Sequence, residues 1–163
     1  MSVTVAPAPA PARRLRDDPL FWLAAAAGPV AWAGLRLWLA PGTLPAWPPA
    51  LWSASPVRFA LAVAVYPVLE EIVFRGFLQP WIAERLPAAA GFGGTAIRRA
   101  AAANVVTSAA FAAAHLYGHP WGWALATFFP SLVFGFFRDR HGGLSAPIAL
   151  HVLYNAGYFA LVA

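Results

Sequence analysis

Five apolar stretches dominate the chain, at residues 20–39, 59–77, 100–116, 121–137 and 144–162. A helix crossing the hydrocarbon core needs roughly 17–25 largely apolar residues, so each stretch is long enough to span a bilayer. Backbone groups find no water there, which makes spanning segments of this kind helical. The expected fold is therefore all-α, a polytopic membrane helix bundle with about five transmembrane helices. Composition agrees. Of 163 residues only 10% are charged and 61% are hydrophobic, where soluble domains carry about 25% charge. So few charges could not cover a water-soluble domain that also holds 8 Trp, 12 Phe and 4 Tyr. A soluble globular enzyme and a disordered chain are both excluded. With no Cys there is no disulfide framework, thiolate nucleophile or thiolate metal site.

Residues 1–19 read as a flexible cytoplasmic N-terminal tail and residues 20–163 as a single transmembrane domain. The Ala-Pro alternation over 6–12 favours extended polyproline II and cannot build a core. An apolar run flanked by Arg also fits a signal peptide. The run reaches Leu39 without a cleavage site, which favours a retained first span. All 11 cations are Arg, and they cluster on alternate loops. Arg13, Arg14 and Arg16 precede the first span, Arg85, Arg98 and Arg99 follow the second, and Arg138 and Arg140 follow the fourth. The positive-inside rule then predicts a multi-pass protein of the cell membrane, with the N-terminus cytoplasmic and the C-terminus outside. The net charge of +5 forms no basic tract, so nucleic acid is not an expected partner. Trp22, Trp38, Trp47, Trp52, Trp81, Trp121 and Trp123 fall near span ends, where interfacial anchors belong.

Polar residues inside the spans are the informative exceptions. The second span contains Glu70, Glu71 and Arg75. Each charge there costs roughly 2.5–3.5 kcal/mol or more, so such residues face a bundle interior and mark function. Glu71 and Arg75 are four apart and share a face, whereas Glu70 points about 100° away. One acid can be neutralised while the other addresses a cavity. A purely structural ion pair is the rival reading, but it needs one acid rather than two. The third span carries Asn104, Ser108 and His115 as a polar stripe on an Ala-rich helix. The fifth carries His151 and Asn155, again four apart. Counted from span ends, Glu70 and His151 lie at similar depth, roughly 10 Å from the cytoplasmic edge, and His115 lies deeper, at about 22 Å.

A carboxylate and a His beside a water suit general-base hydrolysis, and a His and an Asn on another helix suit an oxyanion. Ser108 lacks the strained turn of a serine nucleophile. A metal site is the alternative: Glu70, His115 and His151 could supply three zinc ligands, with water as the fourth. The residues alone leave the two open. A small proton-coupled carrier is a further reading of intramembrane Glu and His.

Glu70-Glu71-x-x-x-Arg75, Phe111-x-x-x-His115 and His151-x-x-x-Asn155, in this order, resemble the three signature motifs of the CPBP family. These are intramembrane CAAX proteases and bacteriocin-processing enzymes, also called the Abi family. Residues 134–144 also resemble the segment before the last motif, so the likeness covers about residues 66–158. It implies an intramembrane endopeptidase in which Glu70 activates water, His115 helps hold it, His151 and Asn155 stabilise the oxyanion, and Glu71 and Arg75 support the site. It implies no resident cofactor, zinc being the alternative, and as partners the lipid bilayer and a peptide or protein cut close to it. A C-terminal sorting or CAAX-like signal fits as substrate. The runs at 115–120 and 130–135 are similar to members paired with C-terminal sorting systems. A non-catalytic immunity or interaction protein on the same fold is the runner-up.

Overall fold

The computed structural model describes residues 14–43, 49–86 and 95–162, and every regular element among these is helical. The extended tail expected at 1–12 and Trp47 lie outside the described residues. Helix α1 (Pro19–Leu39) begins on Asp18, whose carboxylate accepts the Leu20 N–H at 3.2 Å, with Pro19 in the first turn. Residues 14–18, assigned to the flexible tail from sequence, belong to the fold. Asp18 is fully buried, and Arg140 holds it with two bonds of 2.6 and 3.0 Å. His141 Nε2 adds a contact at 3.0 Å. A carboxylate can be buried there because a distant cation neutralises it, and no local pattern announces that partner.

A short α2 (Ala50–Ala54) precedes one long helical run, α3, at 56–85. It is α-helical over Pro56–Ala60, π-wound over Leu61–Val65, α-helical over Tyr66–Glu71, π-wound over Ile72–Leu78 and α-helical over Gln79–Arg85. The expected loop from residue 78 therefore starts only after Arg85. Two prolines, Pro67 and Pro80, each follow a π-wound stretch. A proline ring clashes with the carbonyl four residues back, and wider winding moves that carbonyl aside. The run absorbs both prolines instead of ending.

Helix α4 (Thr95–His115) starts earlier than the expected residue 100, because Arg98 and Arg99 continue the backbone ladder despite their charge. The apolar stretch 121–137 is not one helix. It divides at Thr127 into α5 (Trp121–Ala126) and α6 (Phe128–His141). Pro130 has no N–H for the Ala126 carbonyl, and Thr127 Oγ1 donates back to Ala124 O at 2.6 Å. Helix α6 also runs past the expected end at 137 to His141. Gly142, at φ +67°, stops it and donates its N–H to Arg138 O at 2.9 Å. Helix α7 (Ser145–Leu161) closes the chain close to the expected bounds.

Helix α7 packs on α1, on α6 and on the first half of α3, while α4 packs on α6 and on the last turns of α3. An apolar core of Phe21, Ala25, Phe134, Phe137, Ala146 and Leu150 joins α1, α6 and α7. The interior also holds the polar side chains of Glu71, Arg75, Gln79, Ser108, Ser131 and His151. Large apolar side chains such as Leu23, Val30, Val57, Phe77, Ile97 and Phe129 face outward. Among the described residues, α1 is the one helix long and apolar enough by itself to cross a membrane. Trp22, Trp38, Trp52, Trp81 and Trp121 are exposed as anchors should be. Trp123 is not placed as one. It stacks on Trp32 of α1 at 5.7 Å, because the break at Thr127 leaves α5 over the bundle interior.

Candidate active site

Helix α3 carries three charges into the bundle. Glu71 and Arg75 are completely buried and lie one turn apart, with Arg75 Nε 3.4 Å from Glu71 Oε2. The guanidinium sits against the rings of Phe74, Phe111 and Phe134, 4.9 Å from the centroid of Phe111. Its Nη2 donates to the Ser131 carbonyl at 2.8 Å and also to the Ser131 hydroxyl. Glu71 Oε2 and Arg75 Nε and Nη1 have no hydrogen-bond partner among the described residues, so the pair is held by charge and by the Ser131 bonds. Glu70, on the adjacent face, keeps a third of its side chain exposed and lines a cavity of about 630 Å³. The division expected from helical geometry is the one observed: one acid neutralised within the helix, the other open.

His151 of α7 lies between the two acids. Its Nδ1 donates to Glu71 Oε1 at 2.8 Å, and its Nε2 faces Glu70 Oε2 at 3.6 Å. The first contact is a hydrogen bond, and the second is too long for one. The ring stacks on Phe134 at 4.7 Å, which fixes its plane. Glu71 thus orients His151 as well as pairing with Arg75, a link that sequence spacing did not reveal.

His115, at the end of α4, donates Nδ1–H to the Phe111 carbonyl at 2.9 Å. That bond fixes the tautomer and leaves Nε2 with a lone pair. His115 lines the same cavity as Glu70, His151 and Asn155. Counting along the helices sets His115 deeper than Glu70 and His151, yet all three line one cavity. Asn155 donates one amide N–H to the Ala62 carbonyl at 3.0 Å, tying α7 to the π-wound turn of α3. Asn104 bonds the Leu132 carbonyl at 2.9 Å and accepts from Ser108 at 3.2 Å, so these two join α4 to α6 and do not enter the cavity.

Two groups at the site escaped the sequence reading. His119, in the turn after α4, also lines the cavity and stacks on His115 at 5.7 Å; its spacing of four from His115 was the available signal. Ser131 had no such signal, since its partner is 56 residues away.

Among the described residues, no group of three His, Asp or Glu side chains is disposed to hold a metal ion. His151 bonds Glu71 through Nδ1, which leaves its Nε2 turned toward Glu70.

At the α1–α6 junction, outside the spans, a carboxylate and a guanidinium stabilise each other's charge. Hydrogen bonds from Arg140 hold the Asp18 carboxyl at about 2, below the usual 3.8, and the same contact raises Arg140.

A helical chain with an apolar exterior, a buried acid–arginine pair and a cavity bearing carboxylate and imidazole has the makings of a membrane hydrolase. The sequence matches the family model described as type II CAAX prenyl endopeptidase Rce1-like over residues 51–157, well over half its length. The chain belongs to that Rce1-like family, which places it among the membrane-embedded CAAX-type endopeptidases acting on membrane-associated peptides. No curated protein and no solved structure matches it.

Proposed function

We propose that the chain hydrolyses a peptide bond next to the bilayer with water activated by Glu70. The observation that carries this reading is that Glu70, His115, His151 and Asn155 line one cavity while Glu71 and Arg75 sit behind it. Glu70 takes a proton as the water oxygen bonds to the scissile carbonyl carbon. His115 Nε2, held open by the Phe111 bond, accepts from the water and orients it. Asn155 donates to the oxyanion, joined by His151 Nε2–H when the ring that Glu71 orients carries both protons. Collapse breaks the C–N bond, and Glu70 returns its proton to the departing amine. The residues that carry the reaction need no metal, and the substrate presents a C-terminal CAAX-like or sorting signal. The five apolar stretches cross the membrane with the N-terminus cytoplasmic. The outward apolar side chains support that arrangement, as does the meeting of the α1 start with the α6 end at Asp18, which puts two Arg-bearing segments on one side.

The test is Glu70→Gln in purified, reconstituted protein, read with a quenched-fluorescence peptide bearing a prenylated cysteine. A loss of about 10²–10⁴ in kcat with unchanged accumulation is expected. Full activity of the variant would sink the mechanism, whereas no cleavage by the parent protein would favour the immunity or interaction reading.

A further inference from the structure

The family match begins at residue 51, so α1 lies outside it. Yet α1 contributes Ala27, Gly28, Ala31 and Trp32 to the cavity wall. The cavity also reaches from His151 to Tyr158 along α7, roughly 10 Å at 1.5 Å per residue. It is therefore an elongated space, polar at His151 and aromatic at the other end. That end is built from Trp32 of α1, Trp123 of α5 and Tyr158 of α7. Trp32 and Trp123 stack at 5.7 Å, and Tyr158 lies 5.2 and 4.8 Å from them.

The wall is fixed in place. Trp32 Nε1–H donates to the Tyr154 carbonyl at 2.9 Å, and the Tyr154 hydroxyl donates to Ala24 O at 2.8 Å. Gly28 lets the two helices close: a Cβ there would fall 2.3 Å from the Tyr154 ring. At Gly157 a Cβ would meet Trp32 at 3.1 Å. Between these anchors, Ala27 and Ala31 leave the groove open on the α1 side.

We propose that α1 makes Trp32 a specificity-determining residue: with Trp123 it forms the end-stop of an apolar arm that sets how long an apolar substituent the substrate carries. The inference rests on the cavity being the substrate site, and it goes beyond the family match because the stop comes from a helix outside the matched segment. A hydrophobic slot discriminates by about tenfold or more per misfit methylene group, enough to select chain length.

The experiment uses one peptide sequence carrying geranyl, farnesyl or geranylgeranyl thioethers. Cleavage by the reconstituted full chain is measured, and binding is measured in the Glu70→Gln background. Trp32→Ala should move the preferred chain to a longer one, raising the long-to-short ratio of kcat/KM about tenfold. Ala31→Leu, which fills the arm, should move it to a shorter one and stands as the second variant should Trp32→Ala not fold. Trp32→Phe, keeping a ring but losing the Tyr154 bond, should retain the wild-type order. Equal effects on all three chains in both variants would overturn the proposal and leave Trp32 a packing residue. If the binding order shifts as expected while no variant cleaves, the end-stop stands and the hydrolase reading falls.

Discussion

At the scale of single residues, Arg75 shows how the interior is balanced. It meets Glu71, the backbone and hydroxyl of Ser131, and three aromatic rings, all without solvent. Arg75→Met should leave Glu71 buried without its cation and cost about 3–5 kcal/mol, read as a lower midpoint of thermal unfolding in detergent. Arg75→Lys should not restore it, since an ammonium cannot span Glu71 and Ser131 together. Asp18 gives a prediction with a definite sign. Its folded value of about 2 lies below the ordinary 3.8, so its stabilisation is complete above 3.8 and is lost as pH falls through about 2. Tryptophan fluorescence across that window should show an acid transition that Asp18→Asn removes; an unchanged transition would refute the assignment. The Glu71–Arg75 pair was legible because i,i+4 spacing is a property of the helix itself. Ser131, Arg140 and Trp32 were not, since each acts on a partner brought near only by packing.

Among the elements, α3 departs most from what hydropathy suggests. Its apolar part is about as long as expected, but its helix is far longer and changes winding before each of two prolines. Hydropathy reports where lipid is tolerated, whereas hydrogen bonding decides where a helix ends. The same distinction explains the early start of α4 and the late end of α6. Between α4 and α6 the approach is close at Gly135, where a Cβ would fall 1.9 Å from Asn104 Oδ1 and 2.8 Å from Gln79 Oε1. Gly135→Ala should therefore destabilise by about 1–3 kcal/mol, measured by thermal unfolding. It should also weaken activity through His115, which α4 carries. A variant as stable as the parent would show that the two helices can part there without cost.

For the whole molecule, the decisive property is a set of buried polar groups beside an apolar core, inside an apolar exterior. A metal-independent reaction is expected of this interior. Activity of the reconstituted protein should survive exhaustive chelation, and loss restored by added zinc would transfer the mechanism to the metal reading. The sequence by itself determined the class of fold, because long apolar stretches with satisfied backbones leave helices as the solution in a bilayer. It also determined the identity of the polar groups. Their rarity among apolar neighbours singles them out, and helical spacing assigns Glu70 and Glu71 to different faces. Only the tertiary structure decided how those groups meet. His151 reaches Glu71 across 80 residues of chain, His115 joins His151 and Glu70 in one cavity, and α1 closes its far end. Spacing within a helix is fixed by backbone geometry, but contacts between helices depend on where glycines permit close approach and where proline breaks redirect the chain.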